Sequence, residues 1–148
     1  VLANIAGEPR FFARPLRHDR LVAFVARTHP WAKRRRLELA ELTSQRLVLR
    51  EQGSATRRLF ETAMARQGLA IGEVLDMNSR EAVRETVAAG LGVGVVSASE
   101  FGRDSRLKAL QLVGNDLAMT EYIVCLAERR ELRLVRAFLE IVGAKAAL

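Results

Sequence analysis

Arg50-Glu51-Gln52-Gly53-Ser54-Ala55-Thr56-Arg57-Arg58-Leu59-Phe60-Glu61 follows directly on the apolar triplet Leu47-Val48-Leu49. The triplet reads as a buried strand over 46–50. The Gly-Ser pair reads as a turn. Apolar residues at 59, 60, 63 and 64 form one stripe of a helix over 55–67. Ser54 is expected at the N-cap, and Gly68 is expected to stop the helix. A strand that turns straight into a helix presents unpaired backbone N–H groups at the helix start. Here the hydroxyls of Ser54 and Thr56 stand beside them, and such an end suits an anion.

A second junction of the same kind follows. Glu73–Met77 reads as a strand, and Asn78 as the cap of a helix over 79–89, with Glu81 at the reciprocal capping-box position. Ala82, Val83, Thr86 and Val87 form its apolar stripe, and Gly90 ends it. Asn78 and Ser79 therefore join Ser54 and Thr56 as candidate ligand-binding residues. Capping alone explains each of the four. Two such ends in one short chain, each just after a strand, favour a ligand, because open α/β sheets bind ligands beyond the C-terminal ends of their strands.

Outward from these junctions the chain alternates strands and helices, the pattern of an α/β domain. Residues 1–5 read as a strand and 7–9 as a turn. The run Leu21–Ala26 reads as a buried strand, ended by Thr28-His29-Pro30. A short helical turn is expected over 37–42. Strands are expected over 92–97, 107–113 and 122–126. The last element reads as a helix over 130–142, with Leu134, Val135, Phe138, Leu139 and Val142 inward.

Composition narrows the function classes. With 148 residues, 49% hydrophobic and 28% charged, the chain can bury a sizeable core and reads as soluble. No apolar run is long enough to span a bilayer, so no membrane partner is expected. No signal peptide is legible, and the first residue is Val, so the chain reads as processed, trimmed or a segment of something longer. The net charge is +7, with cations concentrated between Arg10 and Arg36. A basic balance invites nucleic acid. Aromatics make up only 5%, too few for a stacking platform, and the run reads as a solvated face. The single cysteine, Cys125, allows no internal disulfide or metal-ligand spacing. It is expected to be a buried thiol, compatible with a cytoplasmic location.

Catalytic motifs are missing. The glycines of Gly90-Leu91-Gly92-Val93-Gly94 close a helix and open a strand, the reverse of a dinucleotide fingerprint, and read as close packing. Gly53-Ser54-Ala55-Thr56 lacks the lysine of a P-loop. His18 and His29 neighbour no plausible nucleophile, and no nucleophile elbow occurs. No catalytic residue, metal site or cofactor is expected, so the chain reads as a binding domain and not an enzyme.

The order of motifs resembles the effector-binding domain of LysR-type transcriptional regulators. The resemblance rests on the His-Pro turn after the apolar strand (Val22 to Trp31), Arg50–Arg57, the Ser-Arg-Glu-Ala-Val helix start at Ser79, and Gly90–Val96. It implies a periplasmic-binding-protein-like (type 2) two-lobed fold, with lobe II complete and lobe I partial. Residues 1–22 would be partial lobe I and the first crossover, 23–122 lobe II, and 123–148 the second crossover and the C-terminal helix of lobe I. It implies a small anionic effector held by Ser54, Thr56, Asn78 and Ser79, with Asn4 as a lining position from lobe I. It also implies a cytoplasmic dimer or tetramer that meets DNA only through an N-terminal helix-turn-helix absent from these residues. The wording of several segments is similar to regulators of aminophosphonate catabolism, and a phosphonate is a compact dianion suited to helix N-termini. The alternative on the same fold is a transporter's solute-binding protein, which an upstream secretory signal would reveal.

Overall fold

Eight strands and four α-helices follow one another among the described residues of the computed structural model, namely 2–3, 8–114 and 117–145. The strands are β1 (Leu2–Ala3), β2 (Phe11–Ala26), β3 (Arg36–Glu38), β4 (Leu47–Arg50), β5 (Val74–Met77), β6 (Val93–Ser97), β7 (Leu107–Val113) and β8 (Ala118–Leu126). The helices are α1 (Ala55–Arg66), α2 (Arg80–Ala88), α3 (Ala98–Phe101) and α4 (Arg133–Lys145). The chain forms two compact units, residues 1–19 with 119–148 and residues 20–118. No helix among the described residues is long and apolar enough to cross a membrane.

The unit of residues 20–118 is built on a mixed sheet in the order β3-β7-β2-β6-β4-β5. β4 runs parallel to both β5 and β6, with Leu49 opposite Asp76 and Leu47 opposite Val93. Leu47, Val48 and Leu49 are fully buried, as expected of a strand with parallel neighbours and covered faces. Phe60, Ala63 and Met64 of α1 and Val83 and Val87 of α2 are buried too. Phe24, Val48, Val83, Val87 and Leu107 form one packed cluster.

The glycines around β6 act through close packing. A Cβ on Gly94 would lie 2.3 Å from the Phe24 ring, and one on Gly92 would lie 2.6 Å from the Arg46 carbonyl oxygen. Gly90 takes a φ of +79°, which ends α2 at little cost only for glycine.

The other unit contains β1, β8, the first part of β2, and α4. Leu2 pairs with Tyr122 and Ala3 with Glu121. Arg17 bonds Glu121 at 2.9 Å, and His18 Nδ1 lies 3.0 Å from Thr120 Oγ1.

Several elements differ from the sequence expectation, among them α3, which is absent from it, and β8, which begins four residues before 122. β2 begins at Phe11, ten residues before the apolar run, because pairing with β8 recruits the mixed polar and apolar stretch before it. The expected helical turn over 37–42 is instead β3 followed by a 3-10 helix, Leu39–Ser44. Leu37 is held in a parallel ladder with Leu112, and Leu39 and Leu42 share a buried face at the three-residue spacing of a 3-10 turn. α4 starts three residues later than expected, and Leu134 and Phe138 are exposed (84% and 54%) rather than inward. Only the stripe through Val135, Leu139 and Val142 is covered. α4 is apolar over much of its circumference, so composition cannot choose the covered face. Cys125 is half-buried rather than buried.

Gly94→Ala is expected to destabilise the chain by about 2 kcal/mol through overpacking against Phe24. Urea denaturation followed by circular dichroism checks it, and an unchanged midpoint would contradict the packing described.

Candidate functional site

β4 and β5 end together, since Arg50 is the register partner of Met77. The Glu51 amide then donates to the Met77 carbonyl at 2.9 Å, tying the two turns that follow. α1 begins five residues after Arg50 and α2 three residues after Met77, so both helix N-termini lie beyond the same sheet edge. Thr56 from the first turn of α1 and Arg80 from the first residue of α2 line one cavity with Arg50, Arg84, Glu100 and Phe101. Its volume is only about 20 Å³, room for about one water molecule.

The capping residues behave differently from expectation. Ser54 occupies the N-cap of α1 but its side chain makes no capping bond, so its hydroxyl is not used by the helix. The cap of α2 is Ser79, not Asn78. The Ser79 hydroxyl accepts from the Ala82 amide at 3.0 Å, and helical geometry begins at Arg80. Moving the cap by one residue removes Glu81 from the capping-box position, which Ala82 now holds. Asn78 is left exposed just before the cap. Thus Ser54, Thr56, Asn78 and Ser79 all lie at the two junctions, with Ser79 committed to its helix. Asn4 lies outside the described residues.

Charged groups that the sequence reading passed over dominate the edge. Arg57, only 6% exposed, donates from Nη1 to the Arg50 carbonyl at 2.8 Å and to Asp76, and from Nε to Glu61 at 2.7 Å. It therefore clamps the end of β4, the end of β5 and α1 to one another. Burial pulls its pKa down, but the bonds to Glu61 and Asp76 outweigh that and raise it above the ordinary arginine value. Arg50 faces Glu51 through two bonds of 2.7 Å, from Nε and Nη2. That pairing raises the Arg50 pKa and lowers the Glu51 carboxyl to about 2. Arg80 pairs with Glu100 at 2.5 Å, and Arg84 donates to the carbonyls of Glu100 and Phe101 at 3.3 and 2.7 Å.

Ser97 ends β6, which runs parallel to β4 and so finishes on the same edge. It is 1% exposed, and its Oγ has no hydrogen-bond partner among the described residues. Only Arg80 opens a helix; Arg50 ends β4, and Arg57 and Arg84 lie within α1 and α2. Their roles depend on cross-strand register, which sequence spacing does not carry. Among the described residues no group of three His, Cys, Asp or Glu could hold a metal ion.

The other unit carries an open groove of about 460 Å³ that includes Phe12, Arg14, Arg130 and Arg136. Arg14 donates to the Leu139 carbonyl at 3.0 Å, and the Arg130 guanidinium lies 4.5 Å from the centre of the Phe12 ring.

Comparison with known proteins gives a consistent result. The family model described as LysR substrate binding domain matches residues 1–147. The HTH-type transcriptional activator CmpR of Synechocystis sp. is 27% identical over 156 residues, which covers 97% of this chain and 51% of that protein. The RuBisCO operon transcriptional regulator of Allochromatium vinosum is 33% identical over 130 residues, covering 86% of this chain and 43% of that protein. The chain thus spans about half the length of these curated relatives. A solved structure of the Synechocystis PCC6803 CcmR regulatory domain in complex with 2-PG superposes with a TM-score of 0.85 at 24% identity, covering 98% of this chain and 71% of that one. That likeness shows the shared fold.

Two stability measurements check the local description. Ser79→Ala is expected to cost about 1 kcal/mol, the usual value of a lost cap, whereas Ser54→Ala should stay within about 0.5 kcal/mol. Equal losses would contradict the cap assignment. Arg57→Gln is expected to cost about 2 kcal/mol by urea denaturation, since it removes charged hydrogen bonds from a buried clamp. A neutral result would show that the clamp does not hold the two strand ends together.

Proposed function

Because the chain belongs to the LysR substrate binding domain family, we propose that it senses a small anionic metabolite for a LysR-type transcriptional regulator. The observation that carries this reading is the shared edge where α1 and α2 begin, lined by Thr56, Arg50 and Arg80. Helix N-termini favour negative charge, and arginine forks match the oxygens of a phosphoryl or carboxyl group. The enclosed cavity holds no more than about one water. The ligand therefore rests over its mouth, on the helix starts, where the Ser54 and Thr56 hydroxyls and the Asn78 amide donate to it. Ser79 supports the site by fixing the start of α2.

A compact phosphorus-bearing dianion, phosphate or phosphonate, fits this edge better than a monocarboxylate. It carries nearly twice the charge and three acceptor oxygens for the amides, hydroxyls and guanidinium groups. No bond is made or broken in this role. The ligand shifts the population of conformations by its differential affinity, and the regulator reads that shift. DNA binding belongs to a helix-turn-helix outside these residues, and the working form is a cytoplasmic dimer or tetramer. The curated relatives are transcriptional regulators, which favours this role over a transporter's solute-binding protein or an enzyme.

Thermal unfolding with inorganic phosphate, methylphosphonate and acetate tests the reading. At 100 times its dissociation constant, a ligand of the native state adds about 2.7 kcal/mol of stability. Phosphate or methylphosphonate should raise Tm more than acetate at equal ionic strength, and Thr56→Val with Arg80→Gln should remove the rise. If the double variant kept the full shift, the site would lie elsewhere.

A further inference from the structure

The edge proposed to bind the anion already contains one, the carboxylate of Glu51. Both its oxygens sit 2.7 Å from Arg50 nitrogens, so the guanidinium face that would receive a ligand is occupied. Glu100 neutralises Arg80 in the same way. The two carboxylates differ in how readily they can leave. The Glu100 side chain is 18% exposed, and its backbone carbonyl accepts a bond from Arg84, whereas the Glu51 side chain is 41% exposed. The Glu51 backbone is fixed by its amide bond to Met77 and by the Ser54 amide donating to its carbonyl at 3.2 Å. Its side chain alone can swing into solvent without disturbing either helix start. Arg50 is anchored at its root by the Arg57 bond to its carbonyl, and its side chain is 23% exposed.

We infer that Glu51 is an internal competitor for the ligand, holding Arg50 in the empty site and swinging away when an external anion takes the guanidinium. The inference rests on the effector-site reading above and adds its regulation. A site that must first open its own ion pair binds with an apparent dissociation constant raised by the inverse of the open fraction. The pair is partly exposed, so the open state is accessible and the penalty modest. A dianion with several oxygens can overcome that penalty where a weakly held anion does not, which sets a threshold on what the domain responds to. The nearby carboxylates of Glu81 and Glu100, which also act on Arg50 through space, remain in place during the exchange.

Binding of inorganic phosphate to the full chain, measured by isothermal titration calorimetry, tests this with three variants. Glu51→Gln removes the competing charge. Glu51→Asp keeps the charge but draws it back by one methylene, out of reach of the two-point contact. Arg50→Gln removes the group competed for. Competition predicts about three- to fivefold tighter binding for both Glu51 variants, the scale of a partly exposed ion pair. Arg50→Gln should weaken binding at least about tenfold. If Glu51→Gln tightens binding and Glu51→Asp does not, the glutamate acts only through its field and the competitor role is overturned. If neither Glu51 variant changes the affinity while Arg50→Gln abolishes it, the competitor role fails and the effector site stands. If phosphate binds neither the unaltered chain nor Glu51→Gln, both fail.

Discussion

The parallel pairing of β4 with β5 on one side and β6 on the other is the constraint from which the rest of the edge proposed to face the ligand follows. Parallel strands point the same way, so Arg50, Met77 and Ser97 all end at one rim. Each is followed by a helix, and residues from the first turns of α1 and α2 line one cavity. An antiparallel β5 would have sent the second helix start to the opposite end of the sheet. Arg57 secures the arrangement, because a single buried guanidinium bonds the Arg50 carbonyl, Asp76 and Glu61. Its burial is offset only because these partners are all in place. The clamp therefore requires the register and helps to hold it.

The chemistry of the proposed site is suited to recognition. Dipole ends, hydroxyls and arginine forks attract negative charge, and the internal carboxylates Glu51 and Glu100 hold that attraction in check. In the proposed exchange, an arriving anion replaces one ion pair with another. That suits a sensor, whose ligand must come off when its concentration falls. Tight burial of a permanently neutralised cluster would make a structural site instead, as Arg57 illustrates a few residues away.

Much of the fold was legible because local pattern and tertiary context agree where it matters most. Leu47-Val48-Leu49 reads as a buried strand and is one. The stripe through Leu59, Phe60, Ala63 and Met64 reads as the inner face of α1, and the last three are buried while Leu59 is half-buried. Gly90, Gly92 and Gly94 read as packing glycines, and at Gly92 and Gly94 the Arg46 carbonyl and the Phe24 ring leave no room for a side chain, whereas Gly90 has open space and is required by its positive φ. The misreadings arise where contacts distant in sequence, strand pairing for β2 and Leu37 and helix packing for α4, decide the outcome. β2 gains its first ten residues from pairing with β8, Leu37 joins β7, and α4 turns Leu134 and Phe138 outward. At the site, the hydroxyl and amide residues were visible as helix-start signals. The arginines were not, because a guanidinium acquires a role only from what the register sets opposite it. The shift of the α2 cap from Asn78 to Ser79 is smaller in kind, since either residue can cap and the backbone chose the later one.

The central claim, that a small anion is held where α1 and α2 begin, is tested most directly by amide chemical-shift mapping of the chain during a phosphate titration. Saturable shifts centred on residues 51–57 and 78–82 are the expected result, with the amides of Thr56 and Arg80 among the most strongly affected. Shifts centred instead on Arg14, Arg130 and Arg136, or scattered without saturation over the exposed arginines, would contradict it.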